Sequence, residues 1–361
     1  MRIVHISDCY LPRLGGIEAQ VSGLVEMQRK QGHEVFVLTL TPGEEVDNNL
    51  RRFPFKLPSN LLWHPRGQSI CETQIREIDP DVVHLHFGAA SPFAWDGLKA
   101  VCNVGTPSVA TVHSIWGKLA RKLYALSSKS WKTETVFSAV SQIAADYVST
   151  SLNREVKVAH NGVDIEFWHQ ANQQPSNQIE IVSATRFASR KRIRPQIDVI
   201  EKVVKQLRQD SPHFTIAGNG PDFENIKKRI KLAGLEQHVT LTGRLSKSEL
   251  RDLYSRADLF LQMSVLEAFG IAACEARAAG LPVLTRQGSG VAEFVTHDET
   301  GYFEKSDNEI VNRIIQLSKQ RDELARIKSN SRSQTPAQNW EHASAQVFEL
   351  YQFAVHQGES K

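Results

Sequence analysis

Residues 264–284 read SVLEAFGIAACEARAAGLPVL, with Glu267 and Glu275 set on either side of Gly270. From Ile271 the alanines predict a short helix to Ala279, Gly280 supplies a left-handed C-terminal cap, and Pro282 opens the next extended segment. Glu267 then falls in the loop before that helix and Glu275 about a turn inside it. The helix start between them, Phe269–Ile271, offers unpaired backbone N–H groups and the positive end of a dipole, which together hold a phosphate or polarised hydroxyls. A carboxylate accepts two hydroxyl donors at once, so a vicinal diol is its natural ligand. Two carboxylates around an anion-binding turn suit a nucleotide sugar, which has a diol on the ribose, others on the hexose and a diphosphate between them. Spacing alone also allows a solvated surface helix on which Glu267 only precedes the cap.

Outward from this stretch, short apolar strands alternate with helical segments, the pattern of doubly wound α/β domains. The first half predicts strands over 3–6, 35–40, 82–85, 109–112 and 136–140, with a helix over 17–30. The second predicts strands over 179–184, 214–217, 239–241, 259–262 and 283–285. Between them HQANQQPSNQ, residues 169–178, is polar and lacks apolar periodicity, as a linker does. Two Rossmann-like domains are expected, 1–168 and 169–338. A final helix over 339–361 has apolar residues at helical spacing.

Composition narrows the class. Of 361 residues, 41% are hydrophobic and 23% charged, as in a soluble globular protein, and a formal charge of +3 is too small to argue for nucleic acid. Cys9, Cys71, Cys102 and Cys274 show no metal-ligand spacing and are expected as reduced thiols in the cytoplasm. MRIVHIS enters a strand without the pattern of a signal peptide, and no apolar run is long enough to span a bilayer, so any membrane contact is expected to be peripheral. Asp79-Pro80-Asp81 precedes a buried strand, and no other D-x-D or ligand cluster occurs, so no catalytic metal and no cofactor beyond a co-substrate are expected. His84 and His86 alternate on one strand and can point to one face, but a third ligand is not identifiable.

The run EAFGIAACEARAAGLPVL resembles the E-x7-E signature of the retaining glycosyltransferases of family four, and other stretches fit that family in the same order. The resemblance implies the GT-B fold, two Rossmann-like domains facing across a cleft with the last helix crossing back to the first. It implies that Arg186 and Lys191, spaced as in the family's G-R-L-x-x-x-K-G segment, neutralise the donor diphosphate. By the same resemblance Glu267 and the Phe269, Gly270 and Ile271 backbone hold the sugar, Glu275 holds the ribose, and His113 contacts the transferred sugar. Gly15 and Gly16, in DCYLPRLGGIEAQ, face the diphosphate, while Tyr10 and Glu18 contact acceptor. Gly218 lies in the family's G-x-G-P segment, here GNGP, and Leu245 follows its V-x-F-x-G segment, here VTLTG, which lines the base pocket. Guanine-using relatives place an acidic residue shortly after it; Ser246 and Lys247 stand here, which favours uridine. The chain departs from the family at Ala184, Arg192, Met263 and Ser289.

The expected reaction moves a hexose from a UDP- or GDP-sugar to a lipid-linked or glycan acceptor in cell-envelope synthesis, at the inner face of the plasma membrane. SIWGKLARKLYALSSKSWKT, 114–133, holds five basic residues and no acidic one, with Ile115, Leu119, Leu123 and Leu126 near one helical face and Trp116 and Trp131 at its ends. That composition predicts an interfacial helix on anionic lipid, and RRFPFKLPSNLLWHPR, 51–66, adds a second basic and aromatic patch. A catalytically weak nucleotide-sugar-binding protein and a sugar-nucleotide epimerase of similar fold remain as alternatives.

Overall fold

The computed structural model describes residues 1–13, 15–44, 48–55, 62–117, 121–122, 124–125, 134–169 and 178–359. They form two compact units, one of Met1–Gly162 with Asn339–Lys361 and one of Val163–Gln338.

In the first unit the chain runs β1 (Arg2–Ser7), α1 (Gly16–Lys30), β2 (Glu34–Thr39), β3 (Leu50–Arg52), α2 (Gly67–Ile78), β4 (Val82–Phe87), α3 (Pro92–Val104), β5 (Ser108–Val112), β6 (Val136–Ala139), α4 (Gln142–Leu152) and β7 (Lys157–Val158). The strands pair in parallel in the order β3-β2-β1-β4-β5-β6-β7. This is a doubly wound sheet whose order reverses beside β1, and such sheets bind ligands beyond their carboxyl ends. Helix boundaries follow from local chemistry. Pro92 opens α3, and Gly105 ends it in the left-handed region at φ 81°. Ser141 caps α4 by accepting from the Ala144 N–H at 3.2 Å. Asp79-Pro80-Asp81 is structural: Asp79 ends α2 with φ 49°, and Asp81 accepts the Arg2 N–H at 2.7 Å.

The second unit continues with α5 (Ile165–His169), β8 (Glu180–Ala184), α6 (Ile193–Leu207), β9 (His213–Ala217), α7 (Phe223–Leu232), β10 (Val239–Gly243), α8 (Lys247–Arg256), β11 (Leu259–Gln262), α9 (Ile271–Ala278), β12 (Val283–Arg286), β13 (Gly301–Glu304), α10 (Asp307–Lys319) and α11 (Arg321–Ser333). Its sheet is parallel in the order β10-β9-β8-β11-β12-β13. Helix α9 stops one residue before the expected Ala279, and Gly280 (φ 86°) follows. The Leu281 N–H donates to the Ala276 carbonyl and the Gly280 N–H to the Arg277 carbonyl, the paired bonds of a Schellman cap. Ser246 and Glu249 form a reciprocal capping box at α8.

The unit boundary lies at Gly162/Val163, not after residue 168. Helix α5 belongs with the second unit because Trp168 is buried beside Tyr254, ring centroids 5.5 Å apart, and the Val163 N–H donates to the Gln338 carbonyl at 2.9 Å. Residues 170–177 of the predicted linker lie outside the described residues. The last helix, α12 (Trp340–Glu359), completes the core of the first unit through Val347, Leu350, Tyr351 and Ala354. Its Trp340 lies against two glycines: a Cβ on Gly23 or Gly162 would sit 2.2 or 2.3 Å from indole carbons.

The predicted interfacial helix is corrected at its start. Ile115 and Trp116 are buried, and Trp116 stacks on Tyr124 with centroids 3.7 Å apart while its indole N–H donates to the Gly88 carbonyl. These apolar groups are committed to the core and are not free for a bilayer. Residues 118–120, 123 and 126–133 of that run, with Trp131 and three of its five basic residues, lie outside the described residues, as do 56–61 of the second patch.

Candidate functional site

In the second unit the expected donor residues gather at the carboxyl ends of the strands. The loop after β8 carries Arg186 and Lys191, and it is held against the loop after β9 by backbone bonds from Thr185 to Ala217, Phe187 to Asn219 and Asp222 to Phe187, at 3.0, 3.0 and 3.1 Å. Gly218 makes this contact possible. Its φ is 132°, and a Cβ there would lie 1.8 Å from the Thr185 carbonyl oxygen. Phe223 takes the third glycine position of a dinucleotide fingerprint, and Phe187 packs on it at 5.2 Å between centroids. Leu245 is partly buried where β10 turns into α8.

After β11 the chain makes the Glu267–Gly270 turn. Gly270 enters α9 with φ 92°, and the turn is pinned by the Gly290 N–H donating to the Glu267 carbonyl at 2.9 Å. Lys191 Nζ then meets Glu267 Oε2 at 2.6 Å, joining two expected site residues 76 positions apart. Their side chains are 28% and 12% exposed, so the pair is partly screened. Arg186 is exposed, with no salt bridge among the described residues. Beside this turn Gln262 Nε2 and Thr285 Oγ1, paired in register near the ends of β11 and β12, are buried without a hydrogen-bond partner among the described residues. Native proteins rarely leave such groups unmade, and this pair lies beside an open helix N-terminus. Residue spacing did not single out these two; the only hint is that Gln262 ends its strand and Thr285 is next to the end of its own.

Glu275 sits on α9, and burial pushes its carboxyl up to about 7, with the Lys247 charge pulling the other way. Lys247 itself pairs with Asp164 at 3.2 Å and lies over the Phe167 ring at 4.3 Å.

In the first unit the expected residues are more enclosed. Tyr10 and Glu18 are 8% and 5% exposed. Glu18 pairs with Arg13 at 3.1 Å, and a Cβ on Gly15 would lie 2.4 Å from its carboxylate. The start of α1, behind Gly15 and Gly16, therefore already faces a carboxylate from its own first turn, which complements the helix dipole there. His113 follows β5, and burial lowers its imidazole to about 4.

His113 is not isolated. Parallel pairing of β1 and β4 sets His5 opposite His84, and His86 lies on the same face two residues on. Ring nitrogens of His5, His84 and His86 all fall within 4.8 Å of one another, so the third imidazole absent from the sequence reading is His5. Three imidazoles at that spacing can hold a cation. Here each nitrogen is already committed: His5 to His86 and Gln28, His84 to Tyr351 and Thr111, His86 to His5 and His113, at 2.7–3.0 Å. The three rings are buried and their basicity is lowered, first by desolvation. A cavity of about 20 Å³, room for about one water, borders His84, His86, His113 and Asn161.

Residues 164–334 match the family model of glycosyl transferases group 1, and residues 14–167 match that of Glycosyltransferase Family 4. An uncharacterized glycosyltransferase of Methanocaldococcus jannaschii is 28% identical, over 83% of this chain and 84% of that protein. The alpha-monoglucosyldiacylglycerol synthase of Acholeplasma laidlawii is 24% identical, over 93% and 92%. The crystal structure of HepE from Anabaena in complex with UDP-glucose superposes with a TM-score of 0.76 at 19% identity, covering 97% of this chain and 98% of that one.

Proposed function

Because the chain belongs to glycosyltransferase family four and has the GT-B fold, we propose that it moves a hexose, with retention, from a UDP- or GDP-sugar to a lipid-linked or glycan acceptor. The observation that carries this reading is the Lys191–Glu267 pair beside the α9 N-terminus and the two unpartnered groups of Gln262 and Thr285. In it Arg186 and Lys191 meet the diphosphate, stabilising the charge that develops as the nucleotide leaves. Glu267 and the Phe269–Ile271 backbone hold the sugar, Glu275 the ribose, and Leu245 with Gly218 lines the base side. The first unit supplies His113 to the transferred sugar, Gly15 and Gly16 to the phosphates, and Tyr10 and Glu18 to the acceptor. Two fixed cations and a helix end do what a divalent ion does in metal-dependent transferases, so the reaction is read as metal-independent.

A lipid-linked acceptor is supported by the likeness to a diacylglycerol glycolipid synthase. No helix among the described residues is long and apolar enough to cross a membrane, so attachment at the inner face of the plasma membrane would be peripheral. Ser246 and Lys247 after β10 favour UDP over GDP. Thermal-shift and calorimetric titration with UDP, GDP and their common sugars tests the donor. Binding of one nucleotide, weakened at least about tenfold by Arg186→Ala and by Lys191→Ala, is the expected result. Absence of binding by any of them refutes the donor assignment.

A further inference from the structure

The hydrogen bonds behind His113 have a direction that can be worked out atom by atom. Gln28 Oε1, which only accepts, lies 2.8 Å from His5 Nε2, so that nitrogen carries the proton. His5 is fully buried and neutral, which leaves its Nδ1 bare, and His86 Nε2 at 2.9 Å must donate to it. The same step repeats: a neutral His86 has a bare Nδ1, so His113 Nε2 at 3.0 Å is the donor. The far side agrees. Gln28 Nε2 donates to the Tyr351 hydroxyl at 3.0 Å, the phenol passes its proton to His84 Nδ1 at 2.8 Å, and His84 Nε2 donates to Thr111 Oγ1 at 2.7 Å, which bonds Ser138. The amide of Gln28, held between His5 and Tyr351, sets the sense of both arms, and turning it over would reverse every proton in the network.

We propose that Gln28, His5, His86 and Tyr351 are positioning residues that fix His113 as its Nε2–H tautomer, leaving Nδ1 as the acceptor on the ligand side of the ring. A sugar hydroxyl that meets this ring must then donate to it. The consequence for transfer rests on the role given to His113 under the proposed function; the tautomer itself does not. A ring held in one tautomer by buried partners is already oriented when substrate arrives, and the wrong tautomer at a reacting centre costs rate far more than binding.

The test is a long-range proton–nitrogen NMR spectrum of the full chain labelled with ¹⁵N-histidine at pH 7.5, with the His113 signals assigned by their loss in His113→Asn. The expected wild-type pattern is a protonated Nε2 and a bare Nδ1. Tyr351→Phe, which removes one oxygen and frees the Gln28 amide to turn, should convert it to a mixture of tautomers and lower kcat for sugar transfer by about tenfold, or 1.4 kcal/mol, with the donor KM within about twofold. A protonated Nδ1 in the wild type, an unchanged spectrum in Tyr351→Phe, or one bound zinc per chain with metal-shifted His5, His84 and His86 signals would each overturn the proposal. The expected spectrum in a protein that transfers no sugar would sink the transferase reading and leave the string standing.

Discussion

Replacing Glu267 by glutamine separates the two partners of the pair that links the loop after β8 to the turn before α9. The Lys191 ammonium is held by Glu267 at 2.6 Å. A charge-assisted bond contributes about 1.5–3 kcal/mol, and the exposure of both side chains reduces that to about 1–2 kcal/mol. A donor diphosphate must compete with Glu267 for this cation and also meets the carboxylate's own repulsion. Glu267→Gln is therefore expected to strengthen UDP binding by about 5- to 30-fold while weakening sugar transfer, at 1.4 kcal/mol per decade of affinity. Lys191→Ala should weaken UDP binding at least about tenfold, because it removes the attraction and leaves Glu267 uncompensated. Once Lys191 is gone, much of the gain from Glu267→Gln should vanish, and the double-mutant cycle measures that coupling. Isothermal titration of UDP into wild type, both single variants and the double variant gives all four corners. Weaker UDP binding by Glu267→Gln than by wild type, or full additivity, would refute the competition between carboxylate and diphosphate.

Transfer should persist in excess EDTA; complete loss restored by magnesium or manganese would show that a metal takes part. Asp8, 3% exposed, accepts the Phe93 and Ala94 N–H groups at the start of α3, and burial pushes its carboxyl up to about 7. With the folded pKa above the unfolded one, near 4, its stabilising proton uptake is complete below pH 4 and is lost as pH rises to 7. Three units correspond to about 4 kcal/mol at most. Urea unfolding at pH 5 and 8 should show wild type losing stability across that interval and Asp8→Asn losing less, and parallel behaviour of the two proteins would refute the role of Asp8.

The long buried strands were legible because both sheets are parallel and covered on both faces, so β1, β4 and β5 are rich in valine, isoleucine and other apolar residues along nearly their whole length, with buried histidine, serine and threonine set among them. Leu50–Arg52, Lys157–Val158 and Gly301–Glu304 were not, since strands of two to four residues at or beside a sheet edge carry too few side chains to show a period. The E-x7-E turn could be read because glycine, alanine and proline fix its backbone locally. Pairing of Lys191 with Glu267 could not, because it depends on β8 and β11 lying side by side. His5 is an intermediate case. MRIVHIS and DVVHLHF both have histidine in strands, but only the strand order places them in register. The basic run after β5 misled in its first residues, where Trp116 and Ile115 satisfy apolar periodicity equally well by packing inward.

Helix α12 has a consequence for the order of events on the ribosome. The sheet of the first unit is synthesised first, yet Tyr351, Val347 and Leu350 fill one of its faces, and Trp340 seats against Gly23 and Gly162. All of the second unit emerges in between. Until then the nascent first unit exposes an apolar face and leaves the Gln28 amide and His84 without their phenol partner, while the later-made second unit already has a full core of its own. Synthesis from the N-terminus favours folding of the first-made domain first, and here the topology reverses that sequence. A nascent chain halted before Trp340 should carry a folded second unit behind a first unit that binds chaperones.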